Sequence, residues 1–377
     1  MIIRNCKIVY LDKIEEGSIE IHNGKITKIN PEIENNSDCI LDAKGLYLAP
    51  GFIEIHTHGA DGYDTMDGTE EAINGISSAI MKHGVTSFTP TTMTVSKDEI
   101  IKSLEVINKI KEDGSEGAQV IGAHLEGPFI NIKALGAQND KYVLEPCVEN
   151  FKKITGNYEN LVRTVTLSPE VNGAEELIKY LVEKDIVCSM GHTKASYEEA
   201  IKAIECGVSH STHLYNAMTG LNHRNPGVVG ATFDSDITTE MICDGIHLSY
   251  PAIRIAIKQK SANNICLISD SMMACCKQDG IYSLGGQKVL LKGERATLEN
   301  GVLAGSVLTL DKAVKNVYKN TELPLYEVIK MASYNGAKHC RVNDRKGLIK
   351  EGYDADIILF DEDINIKKVF INGEEKI

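Results

Sequence analysis

Between residues 50 and about 346, the chain alternates short apolar, β-branched runs with helical patterns. The runs occur eight times, at residues 51–55, 86–89, 120–123, 163–167, 186–189, 208–212, 239–242 and 265–268. Two of the helical patterns begin with a capping box, at Ser96 and at Ser196, and Pro251 suits the first turn of another helix. Eight β/α units in one stretch favour a closed (β/α)₈ TIM barrel of the α/β class over an open sheet.

The two chain ends read differently from this repeating middle. Residues 1–49 and the last 31 residues carry short strand-like runs, with Asn-Gly turn signals at 23–24 and 372–373. Because the two ends share one pattern, they could form a single small sheet domain with the barrel inserted between its halves. The predicted domains are therefore 1–49, 50–346 and 347–377, with the two end segments belonging to one unit.

Charge and composition exclude several classes of protein. The 53 acidic residues outnumber the 40 basic ones, and the resulting net charge of -13 opposes binding to nucleic acid or to an anionic membrane surface. No apolar run approaches the roughly 18–20 residues that span a bilayer. The ten cysteines are scattered, and no export signal is evident, so we expect reduced thiols and a cytoplasmic location. The adjacent Cys275 and Cys276 are interpreted as packing or loop thiols.

Polar residues follow nearly every predicted strand. The carboxyl ends of the strands in such a barrel open on one face, so these side chains should converge on one pocket. His56 and His58 are two apart on a strand end and therefore point to the same side. The predicted metal ligands are these two histidines together with Glu126, His192 and His213. Asp270, which follows the eighth strand, is placed to accept a proton from metal-bound water.

Each of these residues also has a purely structural interpretation. A single His-x-His pair is common without metal, Glu126 precedes Gly-Pro and could be a turn residue, and Asp270 could cap a helix. All six groups nevertheless fall at predicted strand ends. Their joint placement favours a metal site over six unrelated structural roles.

The sequence resembles the amidohydrolase superfamily. The stretches 50–58 (PGFIEIHTH) and 347–356 (GLIKEGYDAD) are similar to its opening and closing motifs. The motifs at 124–129, 191–193, 212–218, 244–247 and 303–306 are similar to those of the N-acetylglucosamine-6-phosphate deacetylase family. The resemblance implies a barrel with a small β-sandwich made from both chain ends. It also implies metal-dependent hydrolysis of the acetamide of N-acetylglucosamine 6-phosphate to glucosamine 6-phosphate and acetate, in amino-sugar catabolism.

The resemblance also assigns roles at the metal centre. Glu126, His192 and His213 match the principal ligands, whereas His56 and His58 match a second position that only some members have. One or two divalent ions are therefore expected, zinc first, with iron, manganese or cobalt as alternatives. No lysine stands where many dinuclear relatives carry a carboxylated bridging lysine, so Glu126 would be the bridge. Asp270 matches the catalytic aspartate.

A homodimer with a small amino-sugar phosphate as its substrate is implied as well. Arg224 and His247 match the contacts to the 6-phosphate, and in a dimer they would serve the neighbouring subunit's site. The remaining expected substrate contacts are Asn216, Ala217, Ala137, Leu303, Ala304 and Gly305. Gln138 stands where some single-metal relatives carry a histidine, and it can donate a hydrogen bond to a carbonyl but cannot be cationic.

Two other functions stay open from the sequence. The first is another amidohydrolase activity. Hydrolysis of a cyclic amide would usually need the missing lysine, and a deaminase would favour a neutral pocket for the base over an Arg-based phosphate anchor. A catalytically inactive barrel used as a scaffold or a sugar-phosphate sensor would typically have lost some of the six groups, all of which are present.

Overall fold

The computed structural model describes residues 1–32 and 39–377, and the chain begins in it as a β-sheet. The first strands are β1 (Ile2–Val9), β2 (Ile14–His22), β3 (Lys25–Ile29), β4 (Ile40–Asp42) and β5 (Tyr47–Pro50). β1 and β2 pair antiparallel, as do β2 and β3. The turn between β2 and β3 is the predicted Asn23-Gly24, where both residues have positive φ, 48° and 74°. This backbone favours asparagine and glycine, which explains the sequence signal.

The middle of the chain forms a parallel barrel, which confirms the predicted fold. Its strands are β6 (Phe52–Thr57), β9 (Val85–Thr92), β10 (Gln119–Val120) with β11 (Ala123–Glu126), β12 (Val162–Leu167), β13 (Val187–Met190), β14 (His210–Ser211), β15 (Thr238–Ile242) and β16 (Ile265–Ile268), and a small hairpin of β7 (Gly59–Ala60) and β8 (Tyr63–Asp64) follows β6. Each barrel strand pairs in parallel with the next. The ring closes where His58 N donates to Ser271 O (2.8 Å) and Asp270 N donates to His56 O (3.0 Å).

Helices cover the outside of this barrel. They are α1 (Glu70–Met81), α2 (Lys97–Asp113), α3 (Val148–Thr155), α4 (Ala174–Glu183), α5 (Tyr197–Cys206), α6 (Gly227–Phe233), α7 (Tyr250–Lys260), α8 (Leu310–Asn320), α9 (Leu325–Ala332) and α10 (Tyr334–His339). Both predicted capping boxes are present, Ser96 with Glu99 and Ser196 with Glu199, so the sequence located the starts of α2 and α5.

An antiparallel meander lies between β16 and α8. It consists of β17 (Gly280–Leu284), β18 (Gln287–Lys292) and β19 (Arg295–Leu298). The eight-run pattern did not predict it, because its strands are half exposed and lack a continuous apolar run. Ile281 and Leu290 are 65% and 51% exposed, whereas Leu284 and Val289 are buried.

The C-terminal strands return to the sheet in which the chain began. They are β20 (Ile357–Phe360), β21 (Ile366–Ile371) and β22 (Glu374–Glu375), and β20 pairs antiparallel with β5. The strand order is β22-β21-β20-β5-β1-β2-β3, with β4 beside β1. This sheet has its own apolar core, which includes Ile3, Ile8, Ile19, Leu48, Ile357 and Phe370. The two chain ends thus form one β-unit, while the exact boundaries at 49/50 and 346/347 stay a prediction.

None of the helices in the described parts of the chain combines the length and the low charge that crossing a bilayer requires.

Candidate metal centre and active site

A pocket of about 400 Å³ opens at the carboxyl ends of the barrel strands. Its wall includes His58, Glu126, His192, His213 and Asp270, which come from five different β/α units. His56 lies directly behind His58 and is fully buried. The fold therefore brings together all six residues that the sequence placed at strand ends.

Glu126 is the centre of this group. Its Oε1 lies 3.2 Å from His192 Nε2, 3.0 Å from His213 Nε2 and 3.4 Å from His56 Nε2. Its Oε2 lies 3.3 Å from His58 Nε2. Two clusters of potential ligand atoms share Glu126, one with His56 and His58 and the other with His192 and His213, and a third joins His56 to His124 and Glu240. This arrangement suits two neighbouring cations bridged by one carboxylate.

The hydrogen bonds of Nδ1 in two of the imidazoles indicate that their Nε2 atoms are suited to bind a metal. Nδ1 of His58 lies 3.2 Å from Thr91 O, and Nδ1 of His192 lies 3.0 Å from Ala134 O. A backbone carbonyl only accepts, so each Nδ1 carries a proton, and Nε2 is the ring nitrogen left facing Glu126 to bind a metal. Lone pairs and a carboxylate that converge in this way need a cation between them. The donor set, imidazole nitrogen with carboxylate oxygen, is one that zinc accepts.

The charges around these rings also favour a cation. Burial alone would lower the pKa of His58, but hydrogen bonds and charges from Asp270 and Glu126 raise that pKa to about 10. Burial likewise acts to lower the pKa of His56, and the charges of Glu240, Asp270 and Glu126 raise it to about 9. The carboxylates thus hold positive charge in a place from which water is largely excluded.

Asp270 faces the same cluster from the end of β16. Its Oδ1 lies 3.3 Å from His58 Nε2 and 3.6 Å from His56 Nε2. Its backbone is fixed on both sides, since its N–H donates to His56 O and its carbonyl accepts from Ser306 N (2.7 Å). Asp270 has a positive φ of 49°, and this conformation points the carboxylate into the pocket mouth.

The family of the chain follows from comparison with known proteins. The model of the amidohydrolase family matches residues 47–376. The chain belongs to the amidohydrolase family. It is similar to the N-acetylglucosamine-6-phosphate deacetylase of Lysinibacillus sphaericus, with 37% identity over 379 residues, 100% of this chain and 98% of that protein.

Solved structures agree in fold over the whole chain of this amidohydrolase. The crystal structure of the Pasteurella multocida N-acetylglucosamine-6-phosphate deacetylase has a TM-score of 0.95 and 29% identity, covering 100% of this chain and 99% of that chain. A Mycobacterium smegmatis deacetylase variant, solved in complex with N-acetyl-D-glucosamine-6-phosphate, has a TM-score of 0.93 and 25% identity. Its match covers 100% of this chain and 98% of that one.

The expected substrate contacts divide into two groups. Within this amidohydrolase pocket lie Ala137, Gln138, Asn216, Ala217, His247, Leu303 and Gly305. Ala304 is fully buried beneath the pocket wall. Arg224 is exposed and does not line the pocket of its own chain. His247 is oriented by Asp244, whose Oδ2 lies 2.7 Å from His247 Nδ1.

Two cationic residues in the pocket wall were missed. Lys133 and Lys194 line the same pocket, yet neither belongs to a motif that the sequence analysis singled out. Lys133 lies in the long loop after β11, and Lys194 follows the predicted Gly-His-Thr motif by one residue. The position of Lys194 offered a signal, because residues that directly follow a barrel strand lie at the functional face.

Gln138 contacts the Glu126 carboxylate. Its Nε2 donates to Glu126 Oε2 (2.6 Å), and its Oε1 accepts from Thr94 N (2.7 Å). The side chain therefore connects the loop after β11 to the end of β9 and holds Glu126 in place. The same Nε2 also lies 3.7 Å from Met93 Sδ, a weak acceptor, so both N–H groups of the amide have a neighbour.

Glu240 carries no sequence motif, yet it contacts two of the predicted metal ligands. It is fully buried in β15, its Oε2 lies 2.9 Å from His56 Nδ1, and the same oxygen accepts from His213 N (3.0 Å). Burial would raise the pKa of Glu240, but the neighbouring His56 and His210 imidazoles hold it well below its usual range. The detectable signal was a lone acid within the apolar run 239–242.

Proposed function

We propose that this amidohydrolase removes the acetyl group of N-acetylglucosamine 6-phosphate by hydrolysis. The observation that carries the proposal is the shared pocket of the Glu126-centred imidazoles, Asp270 and the oriented His247. These groups are suited to the hydrolysis of an amide in a substrate that also carries an anionic group. The curated relative and both solved structures named above are deacetylases for this sugar phosphate.

In this mechanism the protein's own residues position and move one proton. Asp270 takes the proton from the attacking water as its oxygen bonds to the acetyl carbon. Asp270 then gives that proton to the leaving amine as the C–N bond breaks. The buried Glu126 and its imidazoles hold the reacting groups at the strand ends, and Leu303 and Gly305 border the space for the acetyl group and the sugar.

The same proposal includes the divalent metal. Glu126, His192 and His213 would hold one ion, and Glu126 with His56 and His58 would hold a second. When bound, such ions lower the pKa of water and polarise a carbonyl. We propose zinc, because the ligands are imidazole and carboxylate in a buried site.

For the phosphate we propose a site shared between two copies of the chain. His247 would donate from the pocket wall, and Arg224 of a neighbouring subunit would bind the phosphate with two hydrogen bonds. The exposure of Arg224, outside its own pocket, supports this assignment. The proposed place of action is the cytoplasm, where the ten cysteines stay reduced.

The substrate assignment is tested by acetate release. We expect turnover of N-acetylglucosamine 6-phosphate, much weaker turnover of unphosphorylated N-acetylglucosamine, and none of dihydroorotate or adenosine. Chelation should remove activity and added zinc should restore it. Turnover of dihydroorotate or adenosine in place of the sugar phosphate would overturn the proposal, as would full activity in a chelated sample that metal analysis shows to be empty.

The shared phosphate site is tested by mixing two variants. In a dimer of Arg224→Ala with Asp270→Asn, the subunit with an intact Asp270 receives an intact Arg224 from its neighbour. Random exchange makes half of the dimers mixed, so about a quarter of all sites are complete. We expect the mixture to regain about that share of wild-type activity at low substrate. No recovery in a mixture shown to exchange subunits would assign Arg224 to another role.

A further inference from the structure

A second cluster of reactive side chains lies outside the metal pocket. Cys276 Sγ is 3.4 Å from His83 Nε2, and His83 Nδ1 is 3.1 Å from Asp311 Oδ2. His83 follows α1, Cys276 lies in the loop after β16, and Asp311 is in the first turn of α8. A thiol, an imidazole within hydrogen-bond reach and a carboxylate that orients the imidazole are the parts of an activated nucleophile.

The thiol of this cluster is accessible, and a second thiol stands beside it. Cys276 is exposed, whereas Cys275 is buried. The two sulfur atoms are 3.8 Å apart. The sequence predicts packing or loop roles for both thiols, which suits Cys275 but leaves the exposure of Cys276 and its two partners unexplained.

Electrostatics favours the thiolate form of Cys276. The hydrogen bond from Cys275 and the imidazole of His83 outweigh burial and lower the pKa of Cys276 to about 5. Burial acts to lower the pKa of His83, but Asp311 and Cys276 raise it to about 9. Asp61 opposes the thiolate, and it is itself paired with Lys277 at 3.1 Å. These contacts therefore favour the thiolate form of Cys276 beside a protonated His83.

We propose that Cys276, activated by His83 and Asp311, is a modification site that reacts with hydroperoxides and small carbon electrophiles, with Cys275 as its resolving thiol. This inference is independent of the proposed hydrolase activity, since none of these residues lines the metal pocket.

The oxidation has two balanced steps. The Cys276 thiolate attacks one peroxide oxygen, so an S–O bond forms and the O–O bond breaks. The sulfur is oxidised by two electrons, the hydroperoxide is reduced by two, and the departing oxygen takes a proton from the His83 imidazolium. Cys275 Sγ then attacks the sulfenic sulfur, the S–S bond forms, and the S–O bond breaks with release of water.

The first test treats the intact protein with iodoacetamide between pH 6 and 9. After digestion, mass spectrometry measures the rate at which Cys276 is alkylated. We expect the wild-type rate to change by less than about threefold over this range. In His83→Asn the rate should rise by at least about tenfold between pH 6 and 9, because the hydrogen bond from Cys275 alone holds the thiolate less strongly, and Asp311→Asn should lie between the two. A wild-type rate that rises tenfold per unit would overturn the proposal without reference to any variant.

The second test treats the protein with hydrogen peroxide and then with dimedone, which labels sulfenic acid. The wild-type chain should end as a Cys275–Cys276 disulfide, two mass units lighter. Cys275→Ser should instead accumulate the dimedone adduct at Cys276. Equal dimedone labelling of both proteins would exclude Cys275 as the resolving thiol, and no modification of Cys276 in either would exclude the site.

Discussion

Glu126 and Asp270 are two buried carboxylates in one pocket, but different surroundings separate their roles. Glu126 faces imidazole nitrogens with both oxygens and accepts from Gln138, so its lone pairs are committed to binding. Asp270 contacts the cluster with Oδ1, and its side chain is 12% exposed towards the pocket. A carboxylate with a free oxygen at the mouth can exchange a proton with substrate, and a fully enclosed one cannot.

The first prediction at this scale concerns Asp270→Asn. The amide keeps the shape but cannot accept the proton of the attacking water, so kcat should fall by roughly 10²- to 10⁴-fold. Because the predicted metal ligands are untouched, metal content should stay near that of the wild type. Acetate release and elemental analysis of the same sample measure both quantities, and near-normal turnover would remove Asp270 from the catalytic role.

A second prediction concerns the positioning residue Glu240. In Glu240→Gln the side chain can no longer hold His56 Nδ1 with a carboxylate, so the ion at His56 and His58 should bind roughly 10- to 100-fold more weakly. The ion at His192 and His213 should be retained. Competition with a chelator gives the two affinities, and Glu299→Gln on the exposed meander is the matched control. Equal weakening of both ions would indicate general damage to the barrel instead.

At the scale of elements, the inserted meander contributes a wall that the barrel alone lacks. Leu284 and the segment after β19 line the pocket, and Gln287 Nε2 donates to Ala137 O across it. That hydrogen bond connects β18 to the loop that carries Gln138. The meander therefore fixes the position of a loop that contacts both the pocket and the Glu126 carboxylate.

Gln287→Ala tests this connection. Without the hydrogen bond, the loop at 134–138 becomes less well positioned, so KM for the sugar phosphate should rise several-fold while kcat changes less. Lys288→Ala is the control, since Lys288 is the next residue on β18 and its side chain forms an exposed ion pair with Glu299. Steady-state kinetics of both variants distinguish the outcomes, and similar KM values for the two would contradict a wall function of the meander.

At the scale of the whole molecule, a buried lysine connects the barrel to the end sheet. Lys346 is 1% exposed, and its Nζ bonds to Asp356, to Asp354 Oδ2 (3.1 Å) and to Gln119 Oε1 (3.2 Å). Asp356 also accepts from Asn372 N (2.8 Å). One ammonium group thus links barrel strand β10 to the segment that leads into β20.

Lys346→Met should destabilise the fold by about 3–5 kcal/mol, because the buried Asp356 carboxylate loses its ammonium partner. Burial raises the pKa of Asp354, but Lys25, Lys346 and Arg345 hold it below its usual range. A depressed pKa contributes stability above the ordinary carboxyl value, and that contribution is lost as the pH falls. The loss in Lys346→Met should therefore be large at pH 7 and smaller near pH 3. Urea unfolding at both pH values measures it.

Lys319→Met is the control for this variant, since Lys319 and Asp363 form an ion pair with 51% and 69% of their side chains exposed. Its unfolding midpoint should stay close to that of the wild type, because exposed pairs contribute little. Equal midpoints for the two variants would show that the buried lysine is not needed for the junction.

The sequence could predict much of the site because the fold rule is simple. Eight apolar runs that alternate with helical patterns favour a barrel, and a barrel gathers the residues that follow its strands, so the sequence predicts one shared pocket for His56, Glu126 and Asp270. Glu240 was missed because it lies within a strand, where the pattern predicts core. Lys133 was missed because its loop is long, and loop paths depend on contacts that leave no periodic signal.

The amino-acid sequence by itself indicated the barrel, the strands at both chain ends and the identity of the groups at the barrel mouth, because periodicity and strand-end position are local properties. Only the tertiary structure decided that Glu126 lies between two pairs of imidazoles, that Glu240 supports His56 and His213, and that Cys276 meets His83 and Asp311. Those contacts join residues that are far apart in the chain, and their distances depend on packing over the whole molecule.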